Sequence, residues 1–194
     1  MEEDKTIKYK VDYRDIKYPR LEYKTGTLLL VLPKNYNDAA SLIEKHKKWI
    51  IKKEQIIAEA LEEAKKKTLN LSRTEKELKT LIHSIIKEYQ QEFNLKVNSV
   101  FFRRMKTKWA SYSQKGNLTI NTLLKYLPER LVRYVTFHEM IHSIEKRHNE
   151  NFWKIITKKY INYEEMEKAL LMYWFLIQRS NELITYSNVQ NNER

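Results

Sequence analysis

The chain has no cysteine in its 194 residues. That excludes disulfides, thiolate metal sites, iron–sulfur ligation and cysteine nucleophiles. It has two glycines, Gly26 and Gly116, too few for the glycine-rich phosphate loops of Rossmann or P-loop proteins. It also lacks any long apolar run. The longest, Ala169–Ile177, falls far short of the roughly 20 residues that span a bilayer. The opening residues Met1–Lys5 are polar and mixed in charge, and no apolar stretch follows. The expectation is therefore a cytoplasmic protein with no secretory leader and no membrane partner.

Hydrophobic residues make up 42% and charged residues 32%, enough for one sizeable domain or two small ones sharing a core. Lys and Arg number 37 against 25 Asp and Glu, a net charge of +12. Such a balance points to an anionic partner such as nucleic acid or a nucleotide.

Alternation of Ile7, Tyr9, Val11 and Tyr13, then Leu21 and Tyr23, a turn at Gly26 and the run Leu28–Leu32 predict an antiparallel meander over 1–36. From Asp38 to Lys67 no Gly or Pro interrupts the apolar spacing, which predicts one long connecting helix within 37–70. Ser72–Glu75 has capping-box spacing and predicts the start of a helix. Residues 96–104 and 117–123 read as strands, flanking a basic stretch from Met105 to Gly116. Pro128–Glu129 suits a helix start, and that helix is expected to run to Lys146. Asn149 suits the cap of a helix over 150–160, and a last helix is expected over 164–179. The fold class is α+β, with a catalytic unit over 71–180 and a polar tail over 181–194.

The chemistry lies in His138-Glu139-Met140-Ile141-His142. Residues four apart stack on one helix face, so both imidazoles can reach one Zn²⁺, with Glu139 placed to take a proton from water. Val132, Val135, Phe137, Met140, Ile141 and Ile144 make the helix a buried one, where two imidazoles and a carboxyl need partners. A catalytic zinc needs a third ligand. His148, six residues after His142, has metzincin spacing, although Glu145 stands where metzincins have Gly. Glu164, Glu165 and Glu167 are the rival third ligands. His46 and His83 lie in amphipathic segments and read as surface or structural residues.

Five cations and no acid lie between Arg103 and Lys115, with Trp109 and Tyr112 interleaved. Stacking on aromatics beside cations suits single strands or nucleotides, so Arg104, Lys106, Lys108 and Trp109 are candidate substrate contacts and 103–115 a candidate nucleic-acid loop. Residues 117–122, including Asn121, are a candidate edge for pairing with an extended peptide. Tyr160, Tyr163 or a cation of the basic loop could face the oxyanion. The C-terminal helix, apolar nearly all round, is expected to pack in the core, with a homo-oligomer interface as the alternative.

Together, Arg104–Trp109, Gly116–Asn121, His138–His142, His148 and Phe152-Trp153 resemble the YgjP-like metal-dependent hydrolases, which group with the SprT and WLM zincin-like metallopeptidases. The resemblance covers most of 7–163. It implies a zincin-like fold with a small antiparallel sheet beside the HExxH helix. It also implies a zinc site of His138, His142 and His148, and Glu139 as catalytic acid/base. Ala110 and Tyr112 replace the family's Gly and Cys, and Asn149 replaces its Ser. The function expected is zinc-dependent hydrolysis of peptides. The alternatives are hydrolysis of nucleoside triphosphates at the same site, proteolysis associated with DNA, or nucleic-acid binding.

Overall fold

The computed structural model describes residues 7–24 and 26–192, and the side chains of 24, 179 and 181–192 are outside that description. The fold is α+β, as expected. Three strands open it: β1 (Tyr9–Arg14), β2 (Arg20–Lys24) and β3 (Thr27–Pro33). Two helices follow, α1 (Ala39–Lys45) and α2 (Lys47–Ala64), then α3 (Glu75–Phe93). A second set of strands comes next: β4 (Ser99–Arg103), β5 (Ala110–Tyr112) and β6 (Asn117–Asn121). A 3-10 turn over Thr122–Tyr126 leads into α4 (Glu129–Ile141), α5 (Glu150–Lys159) and α6 (Tyr163–Asn192). Among the described residues no helix is long and apolar enough to cross a membrane.

Neither sheet is the antiparallel one expected. Both are mixed and share one topology: β1-β3-β2 in the first and β4-β6-β5 in the second, the first strand parallel to the third. In each, a hairpin turning on a glycine joins the second and third strands, Gly26 at φ 80° and Gly116 at φ 75°. The first strand then lies on the far side of the third, and its connection steps over the third strand's end. That step is two strand spacings, roughly 10 Å, well within the reach of residues 15–19 or 104–109.

The stretch expected as one helix breaks at His46, whose φ of −109° and ψ of 10° leave the helical region. The break lets Leu42 of α1 join Leu28, Leu30, Leu32 and Ile50 under the first sheet. Beyond it, Ile57, Ala60 and Ala64 of α2 enter the larger core with α3, α4 and α6. The capping box is Thr74 with Glu77, two residues later than expected: the Thr74 hydroxyl accepts from the Glu77 amide and the Glu77 carboxylate from the Thr74 amide. The last helix runs past the expected 179 to Asn192, through a stretch with no Gly or Pro to stop it. Leu170, Met172, Tyr173, Phe175, Leu176 and Ile177 are buried, so the apolar surface of the helix over 170–177 is core.

Helix α4 is buried along Leu131, Val132, Val135, Phe137, Met140 and Ile141. Each such side chain contributes about 1.5–3 kcal/mol relative to exposure. That burial holds rigid the helix whose other face carries the polar site. The helix starts at Pro128–Glu129 as expected but ends at Ile141 rather than Lys146, which leaves Ile144 59% exposed rather than buried. Successive tight turns, with the amides of Ser143 and Ile144 donating to Met140 and Ile141, carry the chain away from the helix axis.

Candidate active site

One cleft of about 920 Å³ lies between α4 and the β5–β6 hairpin. His138 and His142 enter it from the last turn of α4, and His148 from the loop before α5. A ligand nitrogen from each of the three lies within 4.8 Å of the others, and no carboxylate belongs to this group. His138 Nε2 and His148 Nε2 stand 2.9 Å apart. His142 Nδ1 lies 2.9 Å from the Glu145 carbonyl oxygen, so Nδ1 is the donor there and Nε2 is the nitrogen left for a metal. The metzincin Gly position thus contributes a main-chain acceptor, which Glu145 supplies as well as Gly would.

The rings are held by aromatic walls. Asn149 caps α5 by accepting from the Phe152 amide, which sets the direction of the next residues. Phe152 then stacks on His142 with centroids 4.9 Å apart, and Trp153 stacks on His148 at 5.9 Å. Tyr163 also stacks on Trp153, at 4.6 Å. Burial, with His148 and His142 adding to it, pushes His138 down to about 3; burial and His142 likewise lower His148. Both are therefore neutral near pH 7, the state in which imidazole ligates a metal.

Glu139 sits in the same cleft. Burial raises its carboxyl above the usual range, while His142, the Tyr112 amide and Lys108 pull it back. A carboxyl so placed suits proton transfer near neutral pH.

The basic stretch does not act as one loop. Lys108 and Trp109 line the cleft, whereas Arg104 and Lys106 do not. Trp109 is anchored on α6, its ring edge-on to Trp174 at 4.9 Å. Residues 110–112 form strand β5, concealed in the sequence by its brevity. Ala110 has no positive φ, so the Ala in the family's Gly position is unstrained there, and the Tyr112 hydroxyl donates to the Lys96 carbonyl at 2.7 Å. Strand β6 is bonded on both sides, so the expected substrate edge at 117–122 does not exist; the outer strand beside α4 is β5.

Asn121 is fully buried and does not face the cleft. Its oxygen accepts from the Met105 and Leu123 amides, and its nitrogen donates to the Met105 and Lys108 carbonyls. It is a pin for the basic stretch, a role invisible without knowing which strand it ends.

Tyr160 and Tyr163 do not line the cleft; the Tyr160 hydroxyl pairs with that of Tyr89 at 2.8 Å. Of the rival acids, Glu164 and Glu165 lie outside the cleft, while Glu167 lines it. His46 and His83 are remote, at the α1–α2 break and on the exposed side of α3. Lys96, Lys146 and Tyr134 also line the cleft. Only Tyr134 left a sequence signal, standing four residues before His138 on the same helix face.

A family model described as YgjP-like, metallopeptidase domain, matches residues 54–172. Five chains of solved structures match. One is the metallopeptidase zymogen jannalysin of Methanocaldococcus jannaschii, 27% identical, with 48% of this chain and 90% of that one covered at a TM-score of 0.39. That likeness is too loose to transfer geometry. No curated protein matches the sequence.

Proposed function

Since the chain belongs to the YgjP-like metallopeptidase family, we propose that it is a zinc peptidase using His138, His142 and His148 as ligands and Glu139 as general base. The observation that carries this is the group of three imidazoles within 4.8 Å of one another, with His138 and His148 neutral near pH 7, beside a half-buried carboxyl. The donor set fits zinc: nitrogen ligands from one helix and one loop, with no fourth His, Cys, Asp or Glu joining the group among the described residues. Zinc bound there supplies a Lewis acid and brings the pKa of its water toward neutrality.

The chain's own residues do the rest. Glu139 accepts the water proton and later returns it to the leaving amine. The aromatic walls and the Glu145 carbonyl keep two imidazoles from turning away. The outer strand β5 offers main chain to an extended peptide, which would lie across the site. Trp109, held on α6, and Lys108 flank that strand.

The lysine rim favours a second reading. Lys96, Lys108, Lys115 and Lys146 line the cleft, and its acids, Glu139 and Glu167, sit near the histidines. A triphosphate or a nucleic-acid-bound protein would suit such a rim. Phosphate release from nucleotides, assayed beside peptide cleavage, separates the first; binding that weakens steeply with salt marks the second.

The test is Glu139→Gln in the full chain purified without a His tag. It is expected to keep about one zinc per chain and to lose about 10²–10⁴-fold in peptide hydrolysis. Full activity in that variant, or a wild-type chain that takes up no zinc, would overturn the proposal.

A further inference from the structure

We infer that Glu167 and Tyr134 are positioning residues for His138: the carboxylate receives the Nδ1–H of the imidazole while Nε2 takes the metal. The inference rests on the zinc reading above and adds to it residues on two helices that the HExxH pattern does not include.

The first observation is an orphan. His138 Nδ1 is buried and has no hydrogen-bond partner. A buried donor left in that state costs about 1–3 kcal/mol. The second is what faces it. Glu167 Oε1 lies 3.6 Å from His138 Nδ1, a few tenths of an ångström beyond a hydrogen bond. Since His138 Nε2 points at His148, this carboxylate stands on the opposite side of the ring from the metal group. The acid weighed as a third ligand is thereby a partner of a ligand.

The third observation is that Glu167 is itself held. The Tyr134 hydroxyl donates to the same Oε1 at 2.5 Å. Burial, and then Glu167, raises the Tyr134 pKa, so the hydroxyl keeps its proton and remains the donor. Tyr134 also packs its ring edge against His138, centroids 6.0 Å apart. One turn of α4 thus carries both the ligand and the residue that steers the ligand's partner. The Glu167 side chain is 45% exposed, which leaves it room to close the remaining gap.

A carboxylate on the outer nitrogen fixes the tautomer and ring plane and raises the basicity of the metal-facing nitrogen. Loss of such a partner lowers metal affinity about 10–100-fold. The experiment measures zinc affinity of the full chain by competition with a chromophoric chelator. Glu167→Ala is expected to bind zinc about 10–100-fold more weakly. Glu167→Gln, whose amide oxygen can still accept the Nδ1–H, is expected to recover part of the loss. Tyr134→Phe is expected to lose less than Glu167→Ala. X-ray absorption of the zinc-loaded wild type and Glu167→Ala is expected to show the same three imidazole ligands. Wild-type zinc affinity in Glu167→Ala would overturn the inference while sparing the zinc site. A carboxylate oxygen lost from the metal in that variant would also overturn it, making Glu167 a ligand. A wild type without zinc would instead overturn the reading beneath it.

Discussion

The two sheets share a strand order and differ in what they serve. In both, the third strand is central, the second returns to it by a glycine hairpin, and the first lies parallel on the far side. The first sheet lies over an aliphatic cluster, Leu28, Leu30, Leu32, Leu42 and Ile50, and lines no part of the cleft. The second sets its short outer strand β5 beside the helix of the histidines. The crossing connections show the contrast at one pair of positions. Pro33 ends β3 opposite Arg14, and Asn121 ends β6 opposite Arg103. Pro33 has no side-chain amide to give, whereas Asn121 bonds Met105 and Lys108 of the connection passing over it. A shared topology thus becomes a site where one residue ties the connection down.

The comparison breaks most visibly in the two cores. Leu30 in β3 and Ile120 in β6 are both fully buried at the centre of their sheets. Leu30→Ala and Ile120→Ala should each cost about 2–5 kcal/mol in denaturant unfolding. Only Ile120→Ala should also lower peptide hydrolysis per folded molecule, because Ile120 pairs with Ala110 of the cleft strand. Equal activity loss in both variants would show that the first sheet also shapes the site.

The pinning residue comes next in size. Asn121→Ala removes four hydrogen bonds and leaves their main-chain partners to find others, which should cost about 1–3 kcal/mol. Freed of the pin, Lys108 and Trp109 should hold substrate less well, so KM should rise more than kcat falls. Pro33→Ala, the counterpart, should leave both constants unchanged. Steady-state kinetics on the two variants read the difference directly.

What the sequence revealed follows the range of the interactions involved. The spacing of His138, His142 and His148, the Asn149 cap and the Pro128 start are local, and the structure brings each together as the residues suggest. The parallel pairings were not legible, since they depend on which strand neighbours which across the fold. Strand β5 is too short, and too polar at Ser111, to stand out of a basic run. The break at His46 has no glycine or proline to announce it; packing of Leu42 under the first sheet requires it. Glu167 was visible as an acid near the end of the site, but its side of the His138 ring is decided by how α6 docks. The same holds for Asn121, expected on a strand edge open to substrate and found fully buried instead.

The smallest expected effect lies in the two hairpin turns, where the comparison is sharpest because both glycines have nearly the same φ. An alanine at either must adopt a conformation that costs an L-residue about 1–2 kcal/mol. At Gly26 the new Cβ would meet the buried Phe175 ring at 3.3 Å, so Gly26→Ala should cost that backbone strain and a shift of the ring by a few tenths of an ångström, and leave hydrolysis intact. At Gly116 it would lie 2.7 Å from Asn98 Nδ2, which donates to the Lys115 carbonyl at 2.8 Å. Gly116→Ala must therefore break that bond or shift the hairpin that carries Lys115 and faces the cleft. It should unfold at lower denaturant than Gly26→Ala and show a raised KM, which matched unfolding curves and kinetics on the pair would detect. Identical behaviour of the two variants would mean that the hairpin of the second sheet is no more closely coupled to the site than that of the first.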